Sequence, residues 1–138
     1  MKTKFEYLLL LFSIIIFLDR TTKNFLSNSC LTIFCIKRAS NSGAAFGLLS
    51  GQLWLLIAVS IIVLALIAYF WKVKKIRLPL TLLAAGTIGN LVDRMIYGSI
   101  IDVFSVAGSS SFNVSDLSNV VGALLLIAFI LKTKKTNI

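Results

Sequence analysis

The sequence predicts an all-α membrane protein with four transmembrane helices and a small extracytoplasmic β-sheet between helices one and two. Three observations carry this. Of 138 residues, 58% are hydrophobic and only 14% charged, where a soluble domain holds about 45–50% and about 25%. Mean hydropathy is +0.96, and the excess lies in long runs. The basic residues sit at the ends of those runs, where membrane topology places them. At this length a single polytopic domain, residues 1–138, is expected.

The first helix is expected over about 4–26. Lys2 and Lys4 precede an apolar run from Tyr7 to Leu18. A cleaved signal peptide begins similarly, but Asp19-Arg20 replaces the small residues of a cleavage site, so a retained helix is predicted. The second helix, about 53–71, is an apolar run from Leu53 to Phe70 broken only by Ser60. It is about 27 Å long, close to the thickness of a bilayer core. The third, about 78–97, opens near Pro79, a tolerated first-turn residue, and stops at Gly98. The fourth, about 116–131, ends in Lys132, Lys134 and Lys135.

Orientation follows from the basic residues. The N-terminus, the loop between helices two and three, and the C-terminus carry them, whereas Gly98 to Ser115 has none. By the positive-inside rule both termini are cytoplasmic, and segments 27–52 and 98–115 face outward from the plasma (inner) membrane. Arg20, Lys23, Lys37 and Arg38 run against this bias without reversing it. In the first outer segment Leu31 to Ile36 is rich in strand formers. Asn41-Ser42-Gly43 reads as a turn, and Ala44 to Leu49 is apolar again.

Several function classes fall away. A net charge of +9 invites a nucleic-acid reading, but no basic face or aromatic-interleaved patch exists, so no nucleic acid is expected as partner. There is no His, which leaves a zinc site little to build on and a cysteine nucleophile without its usual base. Cys30 and Cys35 are five apart, a spacing that points them to opposite faces of one strand. Free thiols are therefore expected.

The acidic residues are few. Four aspartates, Asp19, Asp93, Asp102 and Asp116, lie beside or inside apolar runs, where each carboxylate costs roughly 2.5 kcal/mol or more at a helix centre. Asp102 and Asp116 both fall at the outer membrane boundary. Thirteen residues separate them, including a flexible Gly108-Ser109-Ser110-Ser111. Two carboxyls sharing a site retain one proton between them. One then serves as base toward a water and the other as acid toward a carbonyl. Asp116, near a helix N-terminus, suits the anion; Asp102, among branched apolar residues, suits the acid. The plainer alternatives are an N-cap role for Asp116 and a turn end at Asp102.

Four segments occur in order. They are Asp19-Arg20-Thr21-Thr22-Lys23, then Asn41-Ser42-Gly43-Ala44-Ala45-Phe46-Gly47, then Gly86 to Arg94 with Gly98 and Ile101-Asp102, and last Phe112-Asn113-Val114-Ser115-Asp116 with Gly122. This pattern resembles the lipoprotein signal peptidase (signal peptidase II) family. The resemblance implies a membrane aspartic endopeptidase with catalytic Asp102 and Asp116. It would cut the signal peptide from diacylglyceryl-modified bacterial prolipoproteins, before the lipidated cysteine. It implies no metal or cofactor, an extracytoplasmic sheet that cradles substrate, and membrane lipid as surroundings; a monomer is expected. Asn41 and Arg94 match family positions that contact substrate backbone, with Gly43 in the same box. Asn90 and Asn113 match polar positions around the site. Asp19 matches a family aspartate with an orienting role, and Asp93 precedes the family arginine. Val103 and Ser115 depart from the usual Phe and Ala.

The residues alone add detail. Asn90 and Arg94 are four apart and share a helix face, whereas Asp93 must look elsewhere, with Lys23 the candidate. Asp19 and Lys23 also read as a boundary pair, and Asn90 as interhelical glue. Two rivals stay open at this point. One is a small ion or proton transporter built on Asp19, Asp93 and Arg94. The other is a non-enzymatic assembly subunit.

Overall fold

The computed structural model describes residues 4–25, 29–31, 34–43, 49–106 and 111–136. They form four long helices and one small sheet: α1 Lys4–Phe25, β1 Ser29–Leu31, β2 Phe34–Asn41, α2 Leu53–Phe70, α3 Arg77–Tyr97, β3 Ile100–Val106, β4 Ser111–Phe112 and α4 Val114–Thr136. A short 3-10 turn, Lys74–Ile76, leads into α3. The apolar stretch 44–48 and the glycine-serine tract 108–110 lie outside the described residues.

α3 is the hub, packing against α1, α2 and α4. Two of its glycines allow this. A Cβ on Gly86 would run into the Ser115 carbonyl oxygen, and one on Gly89 into Ser115 Oγ, so α3 and α4 approach backbone to backbone. At the lower end Ile67, Ile76 and Leu80 form a small apolar core with Val63, Leu83 and Phe129 around it. α3 stops at Gly98, whose φ of 70° is left-handed and whose N–H closes on the Arg94 carbonyl at 3.1 Å, an arrangement glycine adopts without strain.

Burial is inverted relative to a soluble protein. Among the described residues, eleven polar or charged side chains are buried against eight hydrophobic ones, while Trp54, Ile62, Leu66, Leu124 and Ile127 are exposed. Hydrocarbon outside the bundle accounts for this, since apolar side chains then gain nothing from turning inward. Two helical segments, Leu53–Phe70 and Val114–Lys134, are long and apolar enough to cross a membrane.

The sheet corrects two expectations. It does not belong only to the segment between the first two helices. Its strand order is β1-β2-β3-β4, all neighbours antiparallel, so half of it comes from between α3 and α4. β2 pairs with β3 from Phe34↔Val106 to Asn41↔Ile100, with an irregularity between Ile36 and Ala39. The segment between α1 and α2 and the segment between α3 and α4 thus satisfy each other's backbone along this edge. The second correction concerns the cysteines: Cys30 and Cys35 form a disulfide. The spacing argument assumed one strand. The chain instead folds back, and the β1–β2 register sets Cys30 directly opposite Cys35 with Cα atoms 4.1 Å apart, so both point to one face.

Candidate active site

The sheet end of the bundle brings Asp102 and Asp116 together from different elements. Asp102 sits on β3, opposite Ala39 of β2, not in a loop or at a turn. Asp116 lies in the first turn of α4. That helix starts two residues earlier than the sequence suggests, because Asn113 takes the capping position. Asn113 Oδ1 accepts the Asp116 N–H at 2.8 Å, and Asp116 Oδ2 accepts the Asn113 N–H at 3.2 Å, the reciprocal pair of a capping box.

Asn113 also joins the two carboxyls. Its Nδ2 donates to Asp102 Oδ1 at 2.9 Å and to Asn90 Oδ1 at 3.2 Å. Asn90 Nδ2 in turn donates to Asp116 Oδ1 at 2.7 Å. On the other side Asn41 Nδ2 donates to Asp102 Oδ2 at 3.2 Å, while Asn41 Oδ1 accepts the Gly43 N–H at 3.0 Å. Arg94 Nη2 reaches the Gly43 carbonyl at 3.2 Å. Three asparagines therefore supply donors to two carboxyls, and Arg94 ties the β2 turn to α3. Asp102 is buried, and that burial together with the negative charge of Asp116 pushes its carboxyl up to about 6. Desolvation disfavours the anion, and a neighbouring anion adds to the effect.

A cavity of about 800 Å³ opens from this pair. Asn41, Asn90, Arg94, Asp102 and Asp116 line it, together with Ser60, Thr87, Asn119 and Val120. Asn90 and Arg94 share the cavity face of α3 as their spacing requires. Among the described residues no group of three His, Cys, Asp or Glu side chains comes together that could hold a metal ion.

Asp19, Lys23 and Asp93 lie elsewhere, in a buried cluster between α1 and α3. Lys23 Nζ binds Asp19 Oδ2 at 2.8 Å and Asp93 Oδ2 at 2.7 Å. Arg20, whose sequence position shows only a basic residue running against the positive-inside bias, completes the cluster: it binds Asp19 Oδ2 and Asp93 Oδ1, each at 2.7 Å. The available signal was its place beside Asp19 and one turn before Lys23. Asn119 was also overlooked. It lies three residues after Asp116, hence on the same face of α4, and accepts a hydrogen bond from Thr87 at 3.4 Å.

Comparisons with known proteins agree with this architecture. The family model for signal peptidase (SPase) II matches residues 11–132. The lipoprotein signal peptidase of Syntrophomonas wolfei is 33% identical over 133 residues, spanning 87% of this chain and 89% of its own length. That of Bacillus pumilus is 37% identical over 114 residues, covering 75% and 74%. A bacterial membrane enzyme solved by the in meso method at 2.3 Å resolution superposes with a TM-score of 0.89 at 25% identity, over 98% of this chain and 93% of that one. Neither the transporter nor the assembly-subunit alternative survives these matches. The chain belongs to the signal peptidase II family, the lipoprotein signal peptidases.

Proposed function

We propose that this protease is an aspartic endopeptidase acting through Asp102 and Asp116 on diacylglyceryl-modified prolipoproteins, cutting before the lipidated cysteine. The observation that carries the reading is the bridge from Asn113 to the Asp102 carboxyl and, through Asn90, to Asp116, at the mouth of one cavity.

The chemistry divides between the two carboxyls. Asp102, raised to about 6, keeps its proton more readily than an ordinary aspartate, and substrate entering the cavity strips away water and strengthens this. Asp116 takes the part of the base, and two donors on its oxygens, Asn90 Nδ2 and the Asn113 N–H, favour its anion. A water between them loses a proton to Asp116 as its oxygen attacks the scissile carbonyl carbon. Asp102 gives its proton to the carbonyl oxygen, leaving a neutral tetrahedral diol. In the second half Asp116 passes its proton to the departing nitrogen, the C–N bond breaks, and Asp102 recovers a proton from the collapsing diol. Arg94 and Asn41 suit substrate backbone, and Gly43 lets the turn approach it closely.

All four helices cross the plasma (inner) membrane in this reading, with both termini cytoplasmic, the sheet and the aspartate pair at the outer face, and a monomer as the working unit. α1 and α3 turn Asp19, Arg20, Lys23 and Asp93 toward each other, which fits helices immersed in lipid. The acyl chains of the substrate remain in lipid beside the cavity. Nucleic acid has no part in it.

The test is direct. Purified protein incubated with a diacylglyceryl-modified prolipoprotein should release the signal peptide, read by mass spectrometry. Asp102→Asn and Asp116→Asn should each lower cleavage by about a thousandfold or more with unchanged membrane insertion. Full activity in either variant would sink the proposal.

A further inference from the structure

The buried cluster of Asp19, Arg20, Lys23 and Asp93 lies outside the cavity, yet it touches the chain on both sides of it. Asp93 Oδ2, besides binding Lys23, accepts the Ile101 N–H at 3.1 Å. Asp19 Oδ1 accepts the Ser115 N–H at 3.0 Å. Ile101 and Ser115 are the residues immediately before Asp102 and Asp116. Each cluster carboxylate thus grips the backbone one residue ahead of one member of the aspartate pair.

The two grips are not independent. Lys23 bridges both carboxylates, and so does Arg20. Arg20 Nη2 is also fastened to the Gly89 carbonyl of α3 at 3.0 Å. Two cations on two carboxylates make a neutral unit, and Asp19, Asp93 and Lys23 within it are almost wholly buried. Charge-assisted bonds in such surroundings are short and directional, and the double bridge holds Asp19 and Asp93 at one spacing. β3 and α4 come from separate elements and have no helix or strand in common; the cluster gives them a shared frame on α1 and α3.

We infer that Arg20, Lys23 and Asp93 join Asp19, whose family counterpart orients the site, as positioning residues: a neutral four-charge clamp that sets the separation of Asp102 and Asp116 through the Ile101 and Ser115 amides. This rests on the catalytic reading of that pair. Loosening the clamp changes how strongly the two carboxyls sense each other, and so changes the pH dependence of turnover as well as its rate. A cluster that only packed α1 against α3 would lower the amount of folded enzyme and leave the behaviour of each folded molecule alone.

Arg20→Gln and Asp93→Asn, made in the full chain and assayed on the diacylated prolipoprotein, separate these cases. Per folded molecule, kcat is expected to fall about tenfold or more with KM within about twofold, and the limbs of the kcat–pH profile to move by about half a unit or more. Arg20→Lys, which keeps a cation within reach of both carboxylates, should recover most of the lost rate. A wild-type pH profile and kcat per folded molecule would overturn the clamp, as would absence of folded protein in both variants, since a positioning device presupposes a bundle that stands without it. Activity surviving in Asp102→Asn or Asp116→Asn would instead overturn the catalytic reading. If those two are dead and the clamp variants turn over like wild type, the clamp alone fails.

Discussion

Asp102 carries a stability cost that comes from its burial beside Asp116. Its carboxyl, ordinarily near 3.8, sits at about 6, so the folded state holds an extra proton between about pH 4 and pH 6. Stability therefore falls as pH rises across that window, and the full cost is present above it. Asp102→Asn is expected to raise unfolding stability at pH 7.5 by on the order of 2 kcal/mol, with the gain vanishing near pH 4, as measured by thermal unfolding in detergent. Ser115 behaves differently. Its Oγ is buried without a hydrogen-bond partner among the described residues, so Ser115→Ala should be neutral or stabilising by up to about 1 kcal/mol. Loss of stability in that variant would reveal a bond to the hydroxyl. The aspartate pair was legible because carboxyls beside hydrocarbon stand out in a chain with so few acids. Arg20 was not, because a basic residue at a helix end reads equally well as a contact to head groups or water. Only the fold shows it turned inward onto Asp93.

Among elements, α2 was the easiest to read: an apolar run of this length, broken only by Ser60, forms a helix in lipid, and its bounds are those of the run. The sheet was the hardest. Strand pairing between residues 34–41 and 100–106 is nonlocal, and no periodicity within either segment announces its partner. The same blindness hid the Cys30–Cys35 bond, which depends on a hairpin register and not on a spacing along one strand. The α3–α4 seam offers a sharper test. At Gly86 an added methyl meets the fixed carbonyl of Ser115, whereas at Gly89 it meets a side-chain hydroxyl. Gly86→Ala should cost more than Gly89→Ala, with overpacking of about 1–3 kcal/mol or more in each. Ser115→Ala should relieve part of the Gly89→Ala loss and none of the Gly86→Ala loss, a difference that a double-mutant cycle on unfolding would show.

For the whole molecule, the basic turn at 72–77 and the β2–α2 turn should face opposite compartments. A thiol at Lys74→Cys should react with an impermeant reagent only after cells are opened, and one at Gln52→Cys in intact spheroplasts. The reverse pattern would invert the assigned orientation. The pairing of β2 with β3 spans more than half the chain, from Phe34 to Val106, and Asp116 enters only with the last helix. Synthesis therefore delivers the parts of the proposed site in order: a nascent chain carries Asp19, Arg20, Lys23 and Asn41 before Asp102 and Asp116 have been made. Fragments divided in the 72–77 turn should each be inert and regain cleavage only when co-expressed, measured on the same prolipoprotein. The proposed site is thus divided between two halves of the chain, Asn41 and the α1 charges in one and both carboxyls with Asn90, Arg94 and Asn113 in the other, so that neither half holds a complete set.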